Sequence, residues 1–305
     1  MRFAIVGAGG IGGYFGAGLS RAGHDVRLLA RGENLAAIRS RGLEVREPAE
    51  TWTARPSATG DPAELGPADA AIVSVKSYSL REVSGIVREL AEKGALVVPL
   101  LNGVTALDDL VSAGVPRGQI LPGLAVISVE KSEPGVVTRR SDFRSIVLGE
   151  PGGGPSERGG RIAAALRETG ADAKVSDDIG VDLWRKFLFL STIAAACGLA
   201  RASIGAVRDA IYGKLLLERA LGETAAIARR RGVALPEGEE QRVLPGILAL
   251  AGNLKPSFLL DLERGGPNEL DVLSGAIARF GRENGVPTPV HDTAVAAFSA
   301  VRPGP

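Results

Sequence analysis

The residues able to do chemistry begin with a run of glycines. Gly7, Ala8, Gly9, Gly10, Ile11 and Gly12 spell GxGxxG, directly after an apolar run at residues 2–6 and at the start of a helical pattern at residues 11–22. Strand, Gly-rich turn and helix stand in the order that a dinucleotide site requires. Gly7 permits the tight turn. Gly9 has no Cβ, so the backbone can approach a pyrophosphate. Gly12 lets the helix lie close to the strand. The phosphates then sit at a helix N-terminus, where unpaired N–H groups and the dipole favour anions. The chain holds 41 glycines, so the position of the motif says more than its letters.

Five charged or polar residues extend this reading. The second strand ends Leu28-Leu29-Ala30-Arg31, where NAD-preferring enzymes usually place an acid for the ribose hydroxyl. A guanidinium there suits a 2′-phosphate, so NADPH is the expected cofactor. The alternative is a surface Arg in a turn. Lys76 and Asn102 each end an apolar run and so fall at strand carboxyl ends, where ligands of doubly wound sheets bind. Each is equally compatible with an ordinary loop residue. Lys186 leads the apolar run 187–200. Near apolar surroundings its ammonium becomes easier to deprotonate, which suits proton transfer. The alternative is a Lys that snorkels into water. Glu269 falls in the first turn of a helix, where it can complement the dipole. His24 and His291 lack the partners of a Ser/His/Asp triad, and no Cys/His/acid spacing suits a metal, so no metal is expected.

The elements that must position these residues follow two patterns. Strand and helix signals alternate through residues 2–6, 11–22, 24–30, 34–41, 43–46, 51–53, 68–76, 80–90, 95–101, 105–113 and 120–129. Ser79 and Glu82 have capping-box spacing, and Leu80, Val83, Val87 and Leu90 share one helix face. Residues 136–138 and 145–148 read as a pair of strands, 156–169 as a helix and 171–176 as a last strand. After residue 178 helical periodicity takes over. One amphipathic helix is expected over 207–231, with Ile211, Leu215 and Leu216 among its apolar positions. A capped short helix is expected near 254–265, then one with Leu270, Leu273, Ile277 and Phe280 on its apolar face, and a last one over 291–301. The expected fold is an N-terminal α/β Rossmann-type doubly wound sheet over 1–178, which binds NADP, and an all-α C-terminal substrate and catalytic domain over 179–305.

Composition narrows the class. The 305 residues are 45% apolar and 23% charged, with a formal net charge of +1. No broad field for nucleic acid or an anionic membrane is implied. The lone Cys197 excludes an intramolecular disulfide and fits a reducing cytoplasm. The N-terminal run is cut by glycines and reads as a fold element rather than a signal peptide. The most apolar stretch, 187–200, looks too short to cross a bilayer.

Together these pieces resemble the ketopantoate reductase (2-dehydropantoate 2-reductase) family over nearly the whole chain. The resemblance rests on GAGGIGGYFGAGLSRAGHDVRLLAR, on Leu100-Leu101-Asn102-Gly103, on Trp184-Arg185-Lys186, and on Pro256-Ser257-Phe-Leu-Leu-Asp261 followed by Asn268-Glu269-Leu-Asp271. It implies an NADPH-dependent reduction of a 2-keto acid to a 2-hydroxy acid, 2-dehydropantoate to pantoate, in pantothenate synthesis. It implies that Lys186 is the general acid, that Ser257 and Glu269 position substrate and cofactor, and that Asn102 and Lys76 sit at the nicotinamide end. One departure stands out. The family lysine is commonly followed by Asn at the fourth and eighth positions beyond it; here these are Leu190 and Ala194. That leaves open a relative acting on a more apolar keto acid, or an NADPH-binding sensor without catalysis. A methyltransferase is a further alternative that Arg31 and the helical second half argue against. The expected partner is a small keto acid, the expected assembly a monomer or homodimer, and the expected location the cytoplasm.

Overall fold

A computed structural model describes residues 1–300, and the chain forms two compact units. The first comprises Met1–Leu101 and Ala106–Ile179; the second comprises Asn102–Thr105 and the residues from Gly180 on.

In the first unit the elements are β1 (Arg2–Val6), α1 (Gly10–Arg21), β2 (Asp25–Leu29), α2 (Gly32–Arg41), β3 (Leu43–Arg46), β4 (Thr51–Ala54), β5 (Ser57–Thr59), β6 (Ala70–Val73), α3 (Leu80–Glu92), β7 (Leu96–Pro99), α4 (Ala106–Ser112), β8 (Gly123–Glu133), β9 (Val136–Leu148), α5 (Glu157–Glu168) and β10 (Asp172–Val175). Among the described residues, five strands form a wholly parallel sheet in the order β5-β2-β1-β6-β7. Strand alternation sends Phe3, Ile5, Ala70 and Ile72 into one core with Phe15 and Leu19 of α1. Ala4, Val6, Ala71 and Val73 enter the opposite core with Val83, Val87 and Leu90 of α3. Burying each large apolar side chain contributes roughly 1.5–3 kcal/mol. The strand order reverses between β1 and β6, which is where a doubly wound sheet opens its ligand crevice.

Three local expectations fail here. Ser79 does not cap α3: a 3-10 turn, Ser77–Ser79, runs straight into the helix, so Ser79 is already near-helical (φ −96°, ψ −1°) and its hydroxyl caps nothing. Residues 120–129 do not continue the parallel sheet. Ile120 makes a single parallel bridge to Val97, then Pro122, which has no N–H to donate, precedes the departure of the chain into β8. The expected strand pair at 136–138 and 145–148 is one strand, β9, antiparallel to β8 across two register shifts. Its first residues pair in parallel with β3 and its last with β10, which makes a second, mixed sheet. The polar residues in its middle hid its continuity. Arg139 is nevertheless buried, because its Nε donates to Glu47 Oε1 at 2.7 Å. Burial pushes the Glu47 carboxyl up, but bonds from Tyr14, Trp52 and Arg139 outweigh it and hold Glu47 at about 2.

The second unit is helical: α6 (Ile179–Ala200), α7 (Ile204–Asp209), α8 (Gly213–Arg230), α9 (Glu239–Leu248), α10 (Ser257–Glu263), α11 (Ser274–Asn284) and α12 (Pro289–Ser299). The apolar stretch 187–200 belongs to the 22-residue α6, so its length does not exclude a span; 61% of its most apolar window is buried inside the structure. Trp184, Phe187, Leu188, Ile193 and Ala194 of α6 enter one core with Leu217 and Leu221 of α8 and Ile277 and Phe280 of α11. Leu270 and Leu273 lie in the same core, as their spacing implies. The single helix expected over 207–231 is two. The chain breaks at Ala210–Tyr212, where Tyr212 is left-handed (φ 63°). Ile211 is therefore 89% exposed and Leu215 38% exposed, not core positions. A Cβ on Gly213 would lie 1.7 Å from the Val207 carbonyl oxygen, so the two helices meet there at backbone contact. The short helix near 254–265 starts at Ser257, behind Pro256, without a side-chain cap. The last helix was expected to reach Val301, which lies outside the described residues.

Candidate functional site

In the first unit the Gly-rich turn occupies the carboxyl end of β1, and each glycine has its own reason. Gly7 has φ +106°, a conformation closed to most side chains, and its missing Cβ leaves room for Val75. A Cβ on Gly12 would lie 2.1 Å from the Gly7 carbonyl and 2.2 Å from Ser74 Oγ, so α1 crosses the strand ends at backbone distance. Ser74, just past β6, donates to the Gly7 carbonyl at 2.9 Å and ties the two strand ends at the switch point. A Cβ on Gly9 would meet nothing within 4 Å, which leaves open space over the turn. Gly9 is also the N-cap of α1, so the first N–H groups of that helix lack helical partners and face outward. An open glycine at a helix start with unpaired donors fits a pyrophosphate.

Arg31 fits the ribose end of such a ligand. It is the extended residue before α2, and its side chain is 69% exposed. Its ion pair with Glu82 is long, 3.9 Å, and both partners are exposed, so it is a weak restraint. Asn34, in the first turn of α2, was not foreseen. Its Nδ2 donates to the Ala8 carbonyl at 3.0 Å and its Oδ1 accepts from Gly135 N–H at 2.8 Å. A polar residue three positions past Arg31 was the available signal; its partner 101 residues away was not visible. Lys76 lies exposed directly before the 3-10 turn that leads to α3.

The second unit brings together three of the expected residues. Lys186 is the eighth residue of α6. Its Nζ donates to Asn102 Oδ1 at 3.3 Å. Asn102 Nδ2 donates to Glu269 Oε2 at 3.1 Å. The chemistry fixes the orientation of that amide: an ammonium only donates and a carboxylate only accepts, so Asn must turn its oxygen to Lys186 and its nitrogen to Glu269. Neither Asp nor Leu could serve both neighbours. Glu269 is 4% exposed and precedes the 3-10 turn Leu270–Val272, so it answers a specific partner and not only a helix dipole. Burial drives the Lys186 ammonium down to about 8, while the charge of Glu269 holds it up. At neutral pH such a lysine is mostly protonated yet gives up its proton readily. Arg185 beside it is turned to Glu239 at 2.6 Å and Asp182 at 3.0 Å.

Two other expectations resolve differently. Ser257 is exposed at the start of α10 and makes no hydrogen bond to Lys186, Asn102 or Glu269 among the described residues. Leu190, one turn past Lys186, is partly exposed, whereas Ala194 is 3% exposed and part of the helical core.

Comparison with known proteins bears on both units. A family model described as "Ketopantoate reductase PanE/ApbA" matches residues 3–153, and "Ketopantoate reductase PanE/ApbA C terminal" matches residues 178–302. A 2-dehydropantoate 2-reductase of Mesorhizobium japonicum is 33% identical over 97% of this chain and 96% of its own length. The uncharacterized oxidoreductase YkpB of Bacillus subtilis is 28% identical, with 97% of each chain covered. Among solved structures, a PanE/ApbA family ketopantoate reductase from Ralstonia eutropha superposes with a TM-score of 0.90 at 28% identity, covering 99% of this chain and 98% of its own. The agreement spans the Gly-rich α/β half and the lysine-bearing helical half alike, and so the chain belongs to the ketopantoate reductase family, oxidoreductases that reduce small 2-keto acids with NAD(P)H.

Proposed function

We propose that this enzyme is an NADPH-dependent 2-dehydropantoate 2-reductase, with pantoate as its product. Residues 1–178 bind the cofactor and residues 179–305 carry substrate binding and catalysis. The observation that carries the reading is the hydrogen-bonded chain Lys186–Asn102–Glu269. NADPH, when bound, supplies the hydride for the keto carbon. Lys186 supplies the proton for the carbonyl oxygen, and Asn102 and Glu269 keep its ammonium charged and aimed. Gly7, Ala8, Gly9, Gly10, Ile11 and Gly12 hold the pyrophosphate, and Arg31 holds the 2′-phosphate. Lys76, Asn102 and Glu269 orient the nicotinamide end, and Asn102, Ser257 and Glu269 bind the keto acid. The location that fits the lone, reduced Cys197 is the cytoplasm.

One observation favours a second substrate. Leu190 stands partly exposed one helical turn beyond Lys186, where the family commonly has Asn. An apolar side chain cannot satisfy a hydroxyl or carboxylate, and an unpaired buried polar group costs about 1–3 kcal/mol. A keto acid with an apolar chain avoids that cost. The test measures kcat/KM with NADPH for 2-dehydropantoate and for 2-keto acids of increasing apolar chain length. A clear preference for 2-dehydropantoate supports the first reading. A preference for longer apolar chains, reduced in Leu190→Asn, supports the second. Bound NADPH with no keto acid turned over would sink both.

A further inference from the structure

We infer that Asn34 is a positioning residue for the dinucleotide, one that acts by fixing a single peptide plane of the Gly-rich turn. This rests on the NADPH reading above. The Asn34 Nδ2 holds the Ala8 carbonyl at 3.0 Å. A trans peptide is planar, with its C=O and N–H pointing in opposite directions. Holding the Ala8 oxygen toward α2 therefore aims the N–H of Gly9 the other way. That N–H donates to no oxygen among the turn, loop and cap bonds of the described residues. It belongs to the one glycine of the motif that both caps α1 and opens on free space. A turn of small residues can flip this peptide at little cost, because Gly9 tolerates both orientations. Asn34 selects one of them.

Asn34 is itself held from behind. Its Oδ1 accepts from Gly135 N–H at 2.8 Å, at the turn of the β8–β9 hairpin. Gly135 has φ +74°, and a Cβ there would lie 2.9 Å from Ala37 Cβ of α2. Arg41 at the other end of α2 donates to the Pro134 carbonyl in the same turn. The hairpin thus grips α2 at both ends, and both polar atoms of the Asn34 amide are spoken for. Arg31 and Asn34 then have separate duties. Arg31 addresses the 2′-phosphate, which only NADPH carries. Asn34 addresses the pyrophosphate turn, which NADPH and NADH share.

The experiment is direct titration of the full chain with NADPH and with NADH, followed by cofactor fluorescence, for wild type, Asn34→Ala and Asn34→Asp. The Ala variant removes the amide without adding charge. The Asp variant keeps the acceptor for Gly135 N–H and suits a first helical turn, so it guards against a simple folding defect. In both, the Kd for NADPH and the Kd for NADH should rise together, by about tenfold. The melting temperature of the Asp variant and kcat at saturating NADPH should stay close to wild type. Unchanged Kd values in both variants overturn the inference, as does a loss confined to NADPH. Loss of kcat and melting temperature with Kd intact also overturns it. If wild type binds neither nucleotide, the cofactor reading itself fails, and this inference fails with it.

Discussion

Lys186 is poised by two opposing effects, and its pH behaviour shows which one dominates. Burial lowers its ammonium to about 8, against the pull of Glu269. A general acid must be protonated, so kcat/KM for reduction should be flat near neutrality and fall as pH rises through about 8. In Glu269→Gln the supporting charge is gone, and the falling limb should move to lower pH. A limb that stays in place would show that Glu269 does not bear on Lys186. Lys186→Ala should lower kcat by roughly 10²–10⁴ while NADPH still binds. Near-normal turnover would return Lys186 to the role of a snorkelling surface residue. Arg31→Ala tests selectivity. A charge-assisted hydrogen bond is worth roughly 1.5–3 kcal/mol, so affinity for NADPH should drop by about tenfold or more while that for NADH barely moves. Equal losses would remove Arg31 from the phosphate. These residue types were readable in the sequence. What could not be read was that Asn102 bridges Lys186 and Glu269, since its partners are 84 and 167 positions away.

At the level of elements, legibility followed how local the cause was. The parallel strands and α3 announced themselves through apolar runs and helical spacing, which need only neighbouring residues. The long β9 did not, because its middle is rich in Arg and Ser. It is stabilised by a carboxylate, Glu47, that lies 92 residues from Arg139. The break between α7 and α8 was hidden for a different reason: the apolar Ile211, Leu215 and Leu216 continue the helical pattern across it, although Ile211 and Tyr212 are 89% and 78% exposed. Gly213, which has no Cβ to meet the Val207 carbonyl, is the contact that lets the second helix begin against the first. A prediction belongs here. Tyr212 holds a left-handed conformation at the N-cap of α8, which costs a residue of its kind about 1–2 kcal/mol. Asn tolerates that conformation and is a good N-cap, so Tyr212→Asn should raise stability by about 1 kcal/mol, read from denaturant midpoints. No gain would mean that the Tyr212 side chain has contacts that offset its strain.

Across the whole molecule, acid should act on the two units in sequence. His291 is fully buried between Ser274 and Thr224 in the helical unit, and burial lowers it to about 4 against the bond to the Ala220 carbonyl. Its unfolded form binds a proton near pH 6.5, so the unfolded state takes up more protons between about 6.5 and 4. Stability is therefore complete above pH 6.5 and falls as pH drops toward 4. A shift of this size corresponds to about 3 kcal/mol. Glu47 in the α/β unit loses its contribution only further down, as pH falls from about 4.5 toward 2. Chemical unfolding at stepped pH should show the loss between 6.5 and 4, and His291→Gln should flatten that window. An unchanged slope in the variant would mean that another group carries the dependence.

The short segment Asn102–Thr105 has a consequence for how the halves of such proteins can be recombined. It lies in the chain between β7 and α4, yet it is grouped with the helical unit. A crossover at residue 179 between two relatives would carry Lys186 and Glu269 from one parent and the amide that joins them from the other. Such hybrids inherit a working proton donor only where both parents place the same amide at that loop. Transplanting the helical half as a unit thus means moving two pieces of gene, one of them four codons long.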